Sequence, residues 1–169
     1  PLNPADMAAA LEQAGSQAND QTQALAALSG GSVGEALRLT NLGGLDIYAE
    51  LVGIFSTLPR LDRPRALKLA EAAATRGADA KLDLMITMIE AFLARLARTG
   101  ATGQPPEVEA ANGEAALLSR LAPTPASGRA WAETEELISA RLRHGRAVNL
   151  DPAALVLDTV FKISQTAAG

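Results

Sequence analysis

Apolar positions recur three and four residues apart along most of this chain, and glycine, proline or a capping side chain cuts the runs into helix-sized pieces. Asn3 and Pro4 open the first run as N-cap and first helical residue. Met7, Leu11 and Ala14 carry its apolar side, and Gly15 stops it. Leu25 and Leu28 mark a second helix that ends before Gly30 and Gly31. Ser32 begins a third, where S-x-x-E (Ser32, Glu35) predicts a capping box: the hydroxyl takes the N3 amide and the carboxylate reaches back to the amide of Ser32. Gly43 and Gly44 break the chain again. Beyond them Ile47, Leu51, Ile54, Phe55 and Leu58 trace a helix running to Pro59, and Asp62 with Pro64 starts another that carries Leu67, Leu69 and Ala70.

Asp79 is the expected cap of the longest helix. There Leu82, Met85, Ile86, Ile89, Phe92, Leu93 and Leu96 form a continuous stripe, opposed by a small or charged face of Asp83, Thr87, Glu90, Ala94 and Arg98. Met85 and Met88 fit core packing better than a ligand surface. From Thr99 to Gly113 the sequence T-G-A-T-G-Q-P-P-E-V-E-A-A-N-G has no period and reads as a mobile loop over 99–113. A short helix, Glu114–Leu121, follows. After Pro123 and Pro125, Trp131, Leu137, Ile138 and Leu142 define a helix ending in Arg141, Arg143, His144 and Gly145. The last element opens N-L-D-P, with Asp151 as N-cap and Pro152 at the first position. Leu150, Ala154, Leu157 and Phe161 share one face, and Ala153, Val156, Val160 and Ile163 a neighbouring one. Such a helix is either central in its own bundle or pressed against another subunit.

Composition agrees with an all-α fold: 48% of residues are hydrophobic but only 3% aromatic, and Ala and Leu carry the apolar content. There is no cysteine and a single histidine, His144, so neither a thiolate zinc site nor a histidine-rich metal site is expected. Cys–His catalysis is impossible, no G-x-S-x-G is present, and neighbouring carboxylates such as Glu135 and Glu136 point in different directions on a helix. No catalytic residue, cofactor or metal is expected. A net charge of −4 and a pI near 5.0 give no global attraction to nucleic acid. The R-L-R-H-G-R cluster, without interleaved aromatics, reads as a basic last turn complementing the helix dipole. No signal peptide and no apolar run near the roughly 20 residues of a membrane span are found, so a cytoplasmic protein without membrane contact is expected. The start P-L-N-P, without methionine, suggests that chemistry could reside on a preceding segment.

The glycine-rich turn L-S-G-G-S-V-G-E-A-L invites a phosphate-binding reading. It lacks the P-loop lysine, and Glu35 would oppose an anion at close range, so a structural turn is the better reading.

Taken in order, L-A-A-L-S-G-G-S-V-G-E-A-L-R-L, G-G-L-D-I-Y-A-E-L, L-D-L-M-I-T-M-I-E-A-F-L-A-R-L-A-R and H-G-R-A-V-N-L-D-P-A-A-L-V-L-D-T-V-F-K-I resemble the C-terminal part of bacterial DNA polymerase III delta-prime subunits, over essentially the whole chain. The most specific blocks are G-G-S-V-G-E-A-L and N-L-D-P-x-x-x-V-L-D. The resemblance implies a small helical lid domain over 1–42 and a helical-bundle collar over 43–169, without the AAA+ core and hence without its phosphate loop, zinc-binding cysteines or arginine finger. In ATP-hydrolysing relatives the turn reads G-S-x-R-x-A-L, with an arginine that senses the γ-phosphate. The matching position here is Gly34, and Arg38 lies a turn further on. That implies the non-hydrolysing delta-prime type rather than a gamma/tau-type ATPase lid, with no nucleotide bound.

The implied role is assembly of the clamp loader that places the sliding clamp on primed DNA, the chemistry of the DNA-directed DNA polymerase holoenzyme lying in other subunits. The implied partners are the gamma/tau and delta subunits through the collar, with clamp and DNA reached only through the complex. Candidate interface residues are Leu150, Val156, Val160, Phe161 and Ile163, although an aromatic on a terminal helix more often packs inward, which favours the core for Phe161. The rival, an independent helical DNA-binding protein, is opposed by the acidic pI.

Overall fold

The computed structural model describes residues 6, 9–10, 21–75, 77 and 79–169, and these contain helices and turns but no strand. Pro4, Met7, Leu11 and Ala14 of the first expected helix lie outside the described residues. Eight helices are delimited among those described: α1 (Thr22–Leu28), α2 (Val33–Leu42), α3 (Gly44–Phe55), α4 (Arg63–Ala73), α5 (Asp79–Thr102), α6 (Glu114–Leu121), α7 (Pro125–Ala147) and α8 (Pro152–Ala168).

Several starts follow from caps written in the sequence. Asp62 accepts the Arg65 amide at 3.1 Å and Asp151 the Ala154 amide at 2.8 Å, each beside a proline in the first turn. The Ser32 cap forms only half of the expected box. Its hydroxyl accepts the Glu35 amide at 3.4 Å, but its own amide goes to the Ser29 carbonyl, and the Glu35 carboxylate turns to Arg38 at 3.0 Å. The complete box lies at Thr124 and Ser127, where α7 begins and a hydroxyl does the work of the carboxylate. Asp79 stands inside the first turn of α5 rather than before it.

The spine of the bundle is α5, which packs most extensively against α7 and also touches α2, α3, α4 and α6. Leu84 and Met88 are fully buried along with the expected stripe apart from Ile86, because neighbours cover the helix on more than one side. The opposite, small or charged face is largely engaged: Asp83 pairs with Arg146 at 2.9 Å, Thr87 accepts from Arg38 at 3.0 Å, and Glu90 accepts from Ser139 at 2.7 Å.

Instead of giving way to a loop at Thr99, α5 continues through Gly100 to Thr102. The reason is a close helix crossing. A Cβ on Gly100 would lie 2.5 Å from the Gly128 Cα, and one on Gly128 would lie 2.7 Å from the Ala101 amide nitrogen. Backbone meets backbone there, so packing outweighs the penalty of about 1 kcal/mol that glycine carries inside a helix. In α3 the helix ends at Phe55, short of Pro59, whose ring disfavours helical geometry at the preceding residue. Arg120 closes that end by donating to the carbonyls of Leu58 at 2.7 Å and Ser56 at 2.9 Å.

Gly43, at φ +72°, is at once the left-handed C-cap of α2 and the N-cap of α3. The division expected between residues 42 and 43 falls at this one-residue corner, and the buried core runs across it from Leu25 to Ile163. Against α4 and α7 lies α8, burying Leu155, Val156, Thr159, Val160 and Ile163.

Candidate functional site

The most buried charge is Glu114, the first residue of α6, which has no exposed surface. Tyr48 of α3 donates its hydroxyl to Oε1 at 2.6 Å. Arg95 of α5 donates Nε to Oε1 at 2.5 Å and Nη2 to Oε2 at 3.0 Å, and the Ala110 amide reaches Oε2 at 2.6 Å. Arg95 Nη2 also donates to the Val108 carbonyl at 2.8 Å. Each group thus has its hydrogen bonds, the condition under which a buried ion pair can be sustained.

This cluster ties down the segment expected to be a mobile loop over 99–113. Residues 99–102 are helical, and the rest is tied at Val108 and Ala110, with a further bond from the Ala115 amide to the Glu109 carboxylate at 2.8 Å. Beside it opens a groove of about 500 Å³ lined by Arg95, Arg98, Thr102, Pro105 and Glu107, walls of both signs.

Burial, reinforced by the adjacent Glu114 charge, pushes the Tyr48 phenol above its ordinary range, so it remains a donor. The unfolded chain releases this proton near pH 10, as a free tyrosine does, while the folded chain retains it. Stability from this group is therefore complete below about pH 10 and falls above it by about 1.4 kcal/mol per pH unit until the folded phenol also ionises. Denaturant melts between about pH 8 and pH 11 are expected to reveal that slope in the native chain and to lack it in Tyr48→Phe.

The glycine-rich turn has no comparable concentration of chemistry. Gly34 is exposed in the first turn of α2, with nothing within 4 Å of where a Cβ would stand. Arg38 is committed to Glu35 and Thr87.

The five interface candidates separate sharply. Val156, Val160 and Ile163 have no exposed surface, so they form the core of this chain and are unavailable to anchor another. Phe161 is the reverse of a core aromatic, 43% exposed, and Leu150 is 50% exposed. The α4–α7 side of α8 takes the valine and isoleucine row, which leaves Ala154 and Phe161 exposed on the outer side; Leu157 is partly buried against the core, and Leu150 lies before the helix, with its Cδ1 3.4 Å from where a Cβ on Gly145 would stand. Leu137, expected inside α7, is also 50% exposed and shares a surface hollow with Phe161, Arg141, Asp158 and Lys162.

The basic end of α7 is partly consumed by the bundle. Arg141 pairs with Asp158, and Arg146 bridges Asp79 at 3.4 Å and Asp83 at 2.9 Å. The helix continues beyond Gly145 to Ala147. There a Cβ on Gly145 would lie 2.7 Å from Leu155 Cδ1, so the glycine admits α8 rather than ending α7.

Among the described residues no group of three His, Asp or Glu could hold a metal ion, and no helix is long and apolar enough to cross a membrane. The Glu114–Arg95–Tyr48 cluster escaped the periodicity argument. Its one sequence signal is Arg95 itself, a charge between Phe92 and Leu96 on the edge of the apolar stripe. Comparison with family models, with curated proteins and with solved structures finds no match to this chain.

Proposed function

We propose that this chain is a non-catalytic assembly module, the lid-and-collar region of a delta-prime-like clamp-loader subunit, acting in the cytoplasm. It joins gamma/tau and delta subunits so that the complex can place a sliding clamp on primed DNA. The observation that carries this reading is Phe161 on α8, exposed on the same face as Ala154 and beside an exposed Leu137, and left uncovered by the described helices. The blocks G-G-S-V-G-E-A-L and N-L-D-P-x-x-x-V-L-D support the family assignment, and the second of them builds the start of that same helix. Stable contacts between subunits typically remove about 1,200–2,000 Å² from water, so Phe161 and its exposed neighbours would form the centre of the contact rather than its whole area.

Mixing the purified chain with gamma/tau and delta subunits and weighing the product by native mass spectrometry tests this. A complex containing one copy of the chain is expected, and Phe161→Glu should prevent its formation. Failure of the native chain to enter any such complex overturns the reading, as does tight, saturable ATP binding in calorimetry.

A further inference from the structure

We propose that the partner covering the outer face of α8 is an acidic amphipathic helix, which straddles Phe161 with apolar side chains and sets carboxylates against Arg60, Arg63 and Lys162. The inference rests on reading that face as an assembly surface and adds the chemistry of its occupant.

Phe161 differs from the other aromatics of the chain. Tyr48, Phe55 and Phe92 have no exposed surface and Trp131 has 2%, whereas Phe161 stands out beside Leu137, which is also exposed. Exposed aromatics with aliphatic neighbours are the side chains that dominate interfaces once water is excluded from them. The ring forms a ridge between two hollows. One, of about 320 Å³, is lined by Pro59, Arg60, Leu61, Arg63 and Ser164; the other, of about 220 Å³, by Leu137, Arg141, Asp158, Lys162 and Gln165. Apolar side chains on one face of a helix can pack on the ring and against Pro59, Leu61 and Leu137 beside it, while the helix's polar flanks meet the charged walls of the hollows.

Charge identifies the chemistry of that helix. Around the two hollows stand Arg60, Arg63, Arg141 and Lys162 against the single carboxylate of Asp158, which Arg141 takes. Asp62 lies between the first two in sequence, but its carboxylate caps α4. Among the described residues Arg60, Arg63 and Lys162 therefore have no ion pair, in a chain of net charge −4 that pairs Arg38, Arg65, Arg95, Arg141 and Arg146 with carboxylates. A local excess of cations around an apolar ridge complements carboxylates around an apolar stripe. A second copy of this chain fits poorly, because a two-fold contact would bring like charges together.

The test selects binders to the full chain from a displayed library of helical peptides, apolar at heptad-spaced positions and coding Glu, Gln or Lys at the flanking ones. Enrichment of Glu over Lys is expected. A synthesised winner should lose roughly 30-fold in affinity against Phe161→Ser, the loss of a central aromatic anchor, about tenfold against Arg60→Gln/Arg63→Gln, and should weaken as salt is raised. Because Phe161 is exposed, Phe161→Ser should keep the native thermal transition, and Phe161→Leu should retain most of the binding.

The proposal is overturned by Lys-rich or uncharged winners, by winners indifferent to Phe161→Ser, or by the absence of any winner. Self-association of the chain abolished by Phe161→Ser overturns it too, as does displacement of the winner by DNA or anionic vesicles in place of acidic helices. Glu-rich winners on Phe161 with no entry into a clamp-loader complex would discard that complex and keep the acidic helix. Entry into the complex without Glu-rich winners would do the opposite.

Discussion

Glu114→Ala is expected to lower the unfolding free energy by about 3–5 kcal/mol, the effect of removing one member of a buried ion pair and leaving the other without its partner. The variant deprives Arg95, only 15% exposed at its side chain, of both carboxylate bonds, deprives Tyr48 of its acceptor, and frees the Ala110 amide. Arg95→Met/Glu114→Leu is the informative companion: it removes both charges together and should retain much more stability than the alanine variant, although the Ala110 amide still loses its acceptor. Urea melts of the two variants against the native chain decide the matter. A loss below about 1 kcal/mol for Glu114→Ala would falsify the view of this cluster as a dry, fully paired site, since that is the scale of an exposed ion pair.

The second large effect belongs to the glycine crossing. Gly128→Ala should destabilise the chain by about 3 kcal/mol, at the upper end of ordinary overpacking, because the added methyl meets backbone atoms of α5 at 2.7 and 2.8 Å and backbone cannot rotate aside. Gly100→Ala should do the same from the other side, and the two losses should not add, since either one already forces the axes apart. The direction is diagnostic. In an open helical position glycine to alanine stabilises by about 0.5–1 kcal/mol, as expected at Gly34, where the space around a Cβ is empty. Thermal melts of the three single variants would show one small rise and two large falls, and a neutral result at Gly128 would remove the case for backbone contact between α5 and α7.

Much of the helical framework was legible because caps and periodicity agreed. Asp62 and Asp151 stand where their N-cap signals placed them, and the stripe from Leu82 to Leu96 is buried apart from Ile86, which is partly exposed. The errors have a common physical cause. Gly100 and Gly145 looked like endings because local propensity treats glycine as a breaker, whereas a neighbouring helix needed the missing side chain in each case. Glu114 carries no signal in the sequence beyond opening a short helix, because its partners lie 19 and 66 positions away, beyond any helical spacing. Along α8 the periodicity separated two apolar faces without determining which one the bundle would take. That choice depends on where α4 and α7 lie, and it placed Phe161 outside and Val156, Val160 and Ile163 inside.

The corner at Gly43 limits what α2 can do. With one residue joining it to α3, there is no slack in which a swing could be absorbed, and a torsional change there would pull fully buried Leu39 from Gly44, where a Cβ would lie only 2.7 Å from Leu39 Cδ2. Arg38 adds a tether to Thr87 on the spine. Residues 33–42 therefore travel with the bundle as fixed cargo, and a shutter-like stroke would have to originate elsewhere.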